Sequence, residues 1–151
     1  YLCKALELNP NFARAFNQLG TLYQIKGSLD EAAANFRLAL KCLPDFPQAW
    51  NNLGSVLNLQ GNIDGATAAF GEAVRLKPDY VLAYNNLGSA YQSQARMEEA
   101  EGCYRKSIEL QPNDIYANFG LGHALIVQWK MEEAEKVYAG RSFSTQIIFK
   151  H

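Results

Sequence analysis

Cysteine is scarce in this chain, and histidine scarcer. The 151 residues include three cysteines, Cys3, Cys42 and Cys103, an odd number with no Cys-x-x-C or Cys/His ligand spacing among them. That excludes a disulfide framework and a zinc knuckle, and predicts free thiols packed as small apolar residues in a reducing compartment. The two histidines, His123 and His151, are far apart, and neither has a Ser, Cys or carboxylate at a matching helical spacing. A nucleophilic triad is therefore excluded, and neither a catalytic residue nor a metal site is expected. Excess charge is also absent: 14 Lys and Arg stand against 15 Asp and Glu, net −1, with no basic run. Such a chain has no electrostatic footprint for nucleic acid. No apolar stretch approaches the roughly 18 residues that a membrane span needs, so no membrane partner is expected. No Asn-x-Ser/Thr acceptor and no signal peptide appear, which agrees with an intracellular setting, cytoplasmic or nuclear.

What the chain does have is a period. Pro10, Pro44, Pro78 and Pro112 stand 34 residues apart, and so do Gly20, Gly54, Gly88 and Gly122, and Ala15, Ala49, Ala83 and Ala117. Three residue types in phase mean one supersecondary unit copied along the chain. Each unit reads as helix, turn, helix. Trp50, Leu53, Gly54 and Leu57 fall at i, i+3, i+4 and i+7, one face of a helix. A second helix in each copy carries Ala32 and Phe36, Ala66 and Phe70, Ala100 and Tyr104, then Ala134 and Tyr138. Glycine inside a helix costs about 1 kcal/mol against alanine. Its recurrence implies close approach, and the small alanine of the second helix is expected to meet it there, with the aromatics filling the gaps on either side.

The turns fit. Gly27-Ser28 and Gly61-Asn62 separate the helices of their copies. Ser28 with Glu31 reads as a capping box, and Asn62 as an N-cap. Each proline is expected to end a second helix. A helix pair cannot bury both its faces alone, so neighbours must stack, and the fold class is all-α: a right-handed α-solenoid of stacked antiparallel helix pairs. The array is expected over 1–140, as a partial repeat 1–12, repeats 13–46, 47–80 and 81–114, and an incomplete repeat 115–140, followed by an irregular tail 141–151. Tyr1 to Leu8 read as the second half of a helix whose start is missing, so the chain is expected to be cut from a longer array.

The pattern W/Y/F-x-x-L-G-x-x-Y/L, then Ala, then Phe/Tyr, then Pro, at period 34, resembles the tetratricopeptide repeat family over residues 1 to about 139. Ala49-Trp50-Asn51-Asn52-Leu53-Gly54 and Ala83-Tyr84-Asn85-Asn86-Leu87-Gly88 are similar to the repeats of O-linked N-acetylglucosamine transferases and SPINDLY-type glycosyltransferases. The resemblance implies that the first helix of each unit lines a concave groove. Trp50 and Asn52 lie about 200° apart on that helix, so the side opposite the core carries Gln18, Thr21 and Gln24, then Asn52, Ser55 and Asn58 or Leu59. It continues through Asn86, Ser89 and Gln92 to Gly120, His123 and Val127. Asn17, Asn51 and Asn85 are expected at the groove edge. A primary amide both donates and accepts. The transferase resemblance implies an asparagine ladder, here Asn52 and Asn86, that holds an extended peptide by its backbone. Gln18 departs conservatively and Gly120 fully. The family's other mode, gripping a terminal carboxylate, needs cations, and the groove offers only Arg14 near one end.

The acidic pairs Asp30-Glu31, Glu98-Glu99 and Glu132-Glu133 fall in first turns of second helices, where negative charge complements the helix dipole rather than forming acid/base dyads. Gly120-x-Gly122 lacks the strand, third glycine and acid of a dinucleotide site, so no cofactor is expected. After Tyr138 the helix formers give way to Gly140, Ser142, Ser144 and Thr145, and three fates for the tail stand open: disorder, weak helix, or docking as an extended segment. Three functions follow: an interaction scaffold holding a peptide segment in its groove; the substrate-presenting arm of a glycosyltransferase with its catalytic region elsewhere; or a structural spacer that self-associates end to end through uncapped helix faces.

Overall fold

The computed structural model describes residues 10–139. Among these it holds eight helices and no strand: α1 Pro10–Ile25, α2 Leu29–Cys42, α3 Pro47–Leu59, α4 Ile63–Leu76, α5 Val81–Ser93, α6 Met97–Leu110, α7 Ile115–Val127 and α8 Met131–Ala139. Consecutive helices pack on one another throughout, and the odd-numbered helices also meet the next odd-numbered one. Short connections force neighbours antiparallel, and the result is a stacked helical solenoid. The half-helix expected at Tyr1 to Leu8, Cys3, and the tail 141–151 with His151 lie outside the described residues.

The turn within each pair is one structure repeated four times. Gly27, Gly61, Ala95 and Trp129 all take positive φ, at 79°, 80°, 58° and 60°. After each, the next N–H reaches back to a carbonyl five residues earlier: Ser28 to Tyr23, Asn62 to Leu57, Arg96 to Tyr91 and Lys130 to Leu125, all at 2.9 Å. This is the Schellman closure, in which a left-handed residue satisfies the last carbonyls of the helix. Glycine adopts that conformation freely, whereas Ala95 and Trp129 carry a Cβ that opposes it.

Pro10 is the first described residue of α1, where its missing N–H is harmless. Two local expectations need correction. Ser28 stands at the N-cap of α2 but its side chain makes no capping bond, whereas Asn62 caps α4 by accepting from the Gly65 N–H at 2.9 Å. Nor does the helical glycine meet an alanine. A Cβ placed on Gly54 would lie 2.7 Å from the Phe70 ring, and Gly20 faces Phe36, Gly88 faces Tyr104 and Gly122 faces Tyr138 in the same way. The notch receives the aromatic ring itself, because only a flat ring fills the length of one helical turn. Ala32, Ala66, Ala100 and Ala134 are buried beside it.

The acidic pairs do sit in the first turns of α2, α6 and α8. Cys42 is buried, Cys103 half-buried, and neither is paired. Burial pushes the Cys103 thiol up to about 11, with Glu99 adding to it, so the thiolate is negligible at neutral pH.

Candidate functional site

The first helices of the units, α1, α3, α5 and α7, carry the candidate residues, and the structure divides them into two classes. Gln18, Thr21 and His123 are exposed, while Asn17, Asn52, Ser55, Asn86 and Ser89 are half-buried. Asn51 and Asn85 are not at an accessible edge: they are 2% and 5% exposed. The reason is the tilt between successive units, which turns the residue after the core aromatic toward the next repeat.

Those buried amides are one half of a zipper. Asn52 Nδ2 donates to Asn17 Oδ1 at 3.1 Å, and Asn86 Nδ2 donates to Asn51 Oδ1 at 2.9 Å. The Asn51-Asn52 pair thus works across two junctions, Asn51 accepting from the unit that follows and Asn52 donating to the unit before. The bonds consume the donors of Asn52 and Asn86 only in part, and their Oδ1 atoms accept no bond and remain open to solvent. Thr21 and Ser55 turn their hydroxyls back onto the Asn17 and Asn51 carbonyls, at 3.0 and 3.1 Å.

The zipper breaks at the last junction. Gly120 occupies the place of Asn52 and Asn86, and no donor reaches Asn85. Asn85 Nδ2 instead donates to Asp114 at 2.7 Å, while its Oδ1 is buried without a partner. Flipping the amide would set oxygen against carboxylate, so this orientation holds. The glycine is required by its neighbour: a Cβ on Gly120 would fall 2.3 Å from Tyr104 Cζ. The Tyr104 hydroxyl, absent from Phe36 and Phe70, donates to Gln92 Oε1 at 2.8 Å. Gln92 Nε2 lies 3.2 Å from the Gly120 carbonyl oxygen and 3.1 Å from His123 Nδ1. Burial raises the Tyr104 pKa well above the usual tyrosine value, with Tyr116 contributing, so the hydroxyl stays a donor. His123 is thereby joined to the unit interface.

A second polar seam runs along the turns. Gln60 Nε2 donates to Asp30 at 2.7 Å and Gln94 Nε2 to Asp64 at 2.6 Å; Gln128 reaches Glu101 at 2.9 Å. The signal for it was present in the sequence, since Gln60, Gln94 and Gln128 keep the 34-residue interval.

A cleft of about 230 Å³ is lined by Ser55, Asn58, Leu59, Phe70, Asn86, Ser89 and Tyr116. Five residues of the predicted stripe line it: Ser55, Asn58, Leu59, Asn86 and Ser89. Tyr116 is an addition; it stands one interval after Leu82, in phase with Gln48 and Arg14. Among the described residues no group of three His, Cys, Asp or Glu side chains is placed to hold a metal ion, and no helix is long and apolar enough to cross a membrane.

Family models described as tetratricopeptide repeat match residues 4–34 and 81–114, and one described as TPR repeat matches 54–95. The chain carries tetratricopeptide repeats. No curated protein matches it. Among solved structures, the array is similar to a crystal structure of MamA, at 26% identity and TM-score 0.82, over 90% of this chain and 80% of that one. Two further likenesses concern the fold alone. The first TPR of Spaghetti (RPAP3), bound to the HSP90 peptide SRMEEVD, matches at 22% identity and TM-score 0.72, over 88% of this chain and 98% of that one. The Arabidopsis OM64 TPR domain matches at 17% and 0.75, over 78% and 98%.

Proposed function

We propose that this array is a non-catalytic scaffold that holds an extended peptide segment in its concave groove. The observation that carries the reading is the state of Asn52 and Asn86: each is fixed through its Nδ2 by the preceding unit and keeps a solvent-facing Oδ1. Two oriented acceptors, one per unit, match the N–H groups of an extended backbone with little regard to side chain. Orientation is already enforced before binding, which lowers the ordering cost. The absence of charge along the stripe argues against the carboxylate-gripping mode, because an acidic segment would lose its water without gaining a cation.

The test is a pair of exposed substitutions compared on peptides selected from a random library against the full chain. Asn58→Trp fills the groove and should abolish capture; Ala68→Trp, on the exposed side of α4, should leave it intact. Equal capture by both variants would sink the groove reading.

The substrate-arm reading rests on the two Ala-aromatic-Asn-Asn-Leu-Gly segments, and on their amide pairs having the fixed geometry a backbone-reading ladder needs. A nucleotide-sugar-binding domain in the same reading frame would favour it. The self-associating spacer is tested by sedimentation over a range of concentrations, where a constant monomer mass removes it.

A further inference from the structure

We infer that the exposed apolar ridge of α7 is the docking surface for this chain's own segment Ser142 to Phe149, which lies outside the described residues. The inference is independent of the groove reading. Three observations carry it.

The first is a position that is covered in the units before it. Ile115, Phe119, His123 and Val127 stand four residues apart and form one ridge along α7. The same row is Pro47, Asn51, Ser55 and Leu59 on α3, and Val81, Asn85, Ser89 and Ser93 on α5. Asn51 is 2% and Asn85 5% exposed, each bonded to the unit that follows, through Asn86 and Asp114. Phe119, in phase with both, is 58% exposed, and Ile115 beside it is exposed to the same degree. The ridge has turned from polar to apolar where no described unit covers it.

The second is where the chain leads. The Tyr138 ring, at the end of α8, meets the Phe119 ring edge to face, with centroids 5.9 Å apart. The chain therefore leaves α8 at Ala139 beside the uncovered ridge. With 13 residues, α7 is about 20 Å long. Ten further residues span up to about 33 Å, so every residue as far as Phe149 has the reach to lie on it.

The third is composition. Ser142 to Phe149 carries no charge and four large apolar side chains, Phe143, Ile147, Ile148 and Phe149. α7 holds no Asp, Glu, Lys or Arg either. The two surfaces cover each other without desolvating an ion. A second copy or a foreign partner competes for the ridge, but a segment tethered beside it acts at an effective concentration on the order of millimolar. The tether wins at ordinary protein concentrations. Docked there, the segment closes this end of the array and removes the face that end-to-end stacking would need.

The experiment puts a photo-cross-linking benzoylphenylalanine in place of Phe119 in the full chain. Light and isotope-labelled chains are mixed, irradiated and read by mass spectrometry. Cross-links should run from position 119 to Ser142 to Phe149 within one chain, at every protein concentration. Cross-links that join light to labelled chains, or none to this segment, overturn the inference. Thermal melting gives a second reading. Ile115→Ser, at an exposed site, and a variant stopped after Ala139 should each lower the midpoint by several degrees. Combined, they should fall no further than the stopped variant alone, since the serine then has no contact left to lose. A midpoint unmoved by stopping at Ala139, or losses that simply add, contradicts the docking.

Discussion

Gly120 and Tyr104 should behave as one compensating pair. Introducing the asparagine that the other units carry, Gly120→Asn, sets a new Cβ 2.3 Å from the Tyr104 ring. That ring is buried and cannot retreat, so the variant should lose about 1–3 kcal/mol by overpacking. Tyr104→Phe alone loses the 2.8 Å bond to Gln92, about 1 kcal/mol. Together the changes should recover stability. A ring without its hydroxyl can seat as Phe70 does beside Asn86, and the new amide can then donate to Asn85 Oδ1, as Asn86 does to Asn51 at 2.9 Å. Ending the isolation of that buried oxygen returns about 1–3 kcal/mol, and replacing a helical glycine adds a few tenths. The double-mutant cycle should therefore show a coupling of at least about 2 kcal/mol in favour of the double variant, measured by urea unfolding followed by far-UV circular dichroism. Hydrogen exchange of the α5 and α7 amides should show the same ranking at that junction. Strict additivity, within about 0.5 kcal/mol, would refute the reasoning.

The two ladder asparagines should differ in stability as well as share a role. Asn86→Ala strands the oxygen of the buried Asn51 and should cost about 1–2 kcal/mol; Asn52→Ala strands that of the half-buried Asn17, which water can reach, and should cost less, by thermal melting of each variant. Ala95→Gly relieves a left-handed alanine and should stabilise the array by up to about 1 kcal/mol, read as a higher urea midpoint. Burial would raise the Glu101 pKa, but hydrogen bonds from Lys130, Arg105 and Gln128 outweigh it and hold the group at about 2, below its ordinary 4.5. A depressed carboxylate stabilises above its unfolded value and loses that contribution as pH falls from about 4.5 through 2, on the order of 2–3 kcal/mol. Glu101→Gln should flatten that part of the stability–pH curve, and an unchanged curve would contradict it.

Much of the fold was legible because it is local. The 34-residue proline and glycine marks, the helical spacing around Trp50 and the Asn62 cap all act within a few residues of themselves. Even so, Ala95 and Trp129 hid two of the four left-handed turns, since neither residue favours that conformation; the unit around them imposes it. The candidate residues were legible as a stripe along the first helices, yet the burial of their amides was misjudged. From helical angle alone Asn51 and Asn85 belong at an edge, and the neighbouring unit buries them.

By itself, then, the sequence determined that this protein is an array of helix pairs, because helical spacing and burial act over short range; that the aromatic ring rather than the alanine fills the glycine notch came only with the packed structure. Tertiary structure decided what happens between units. The tilt of one helix pair on the next joins residues 35 apart in the chain, Asn52 to Asn17 and Asn86 to Asn51. It also leaves Asn85 Oδ1 without a partner across the junction where Gly120 yields to Tyr104. Those contacts depend on angles between helices, which no residue specifies alone.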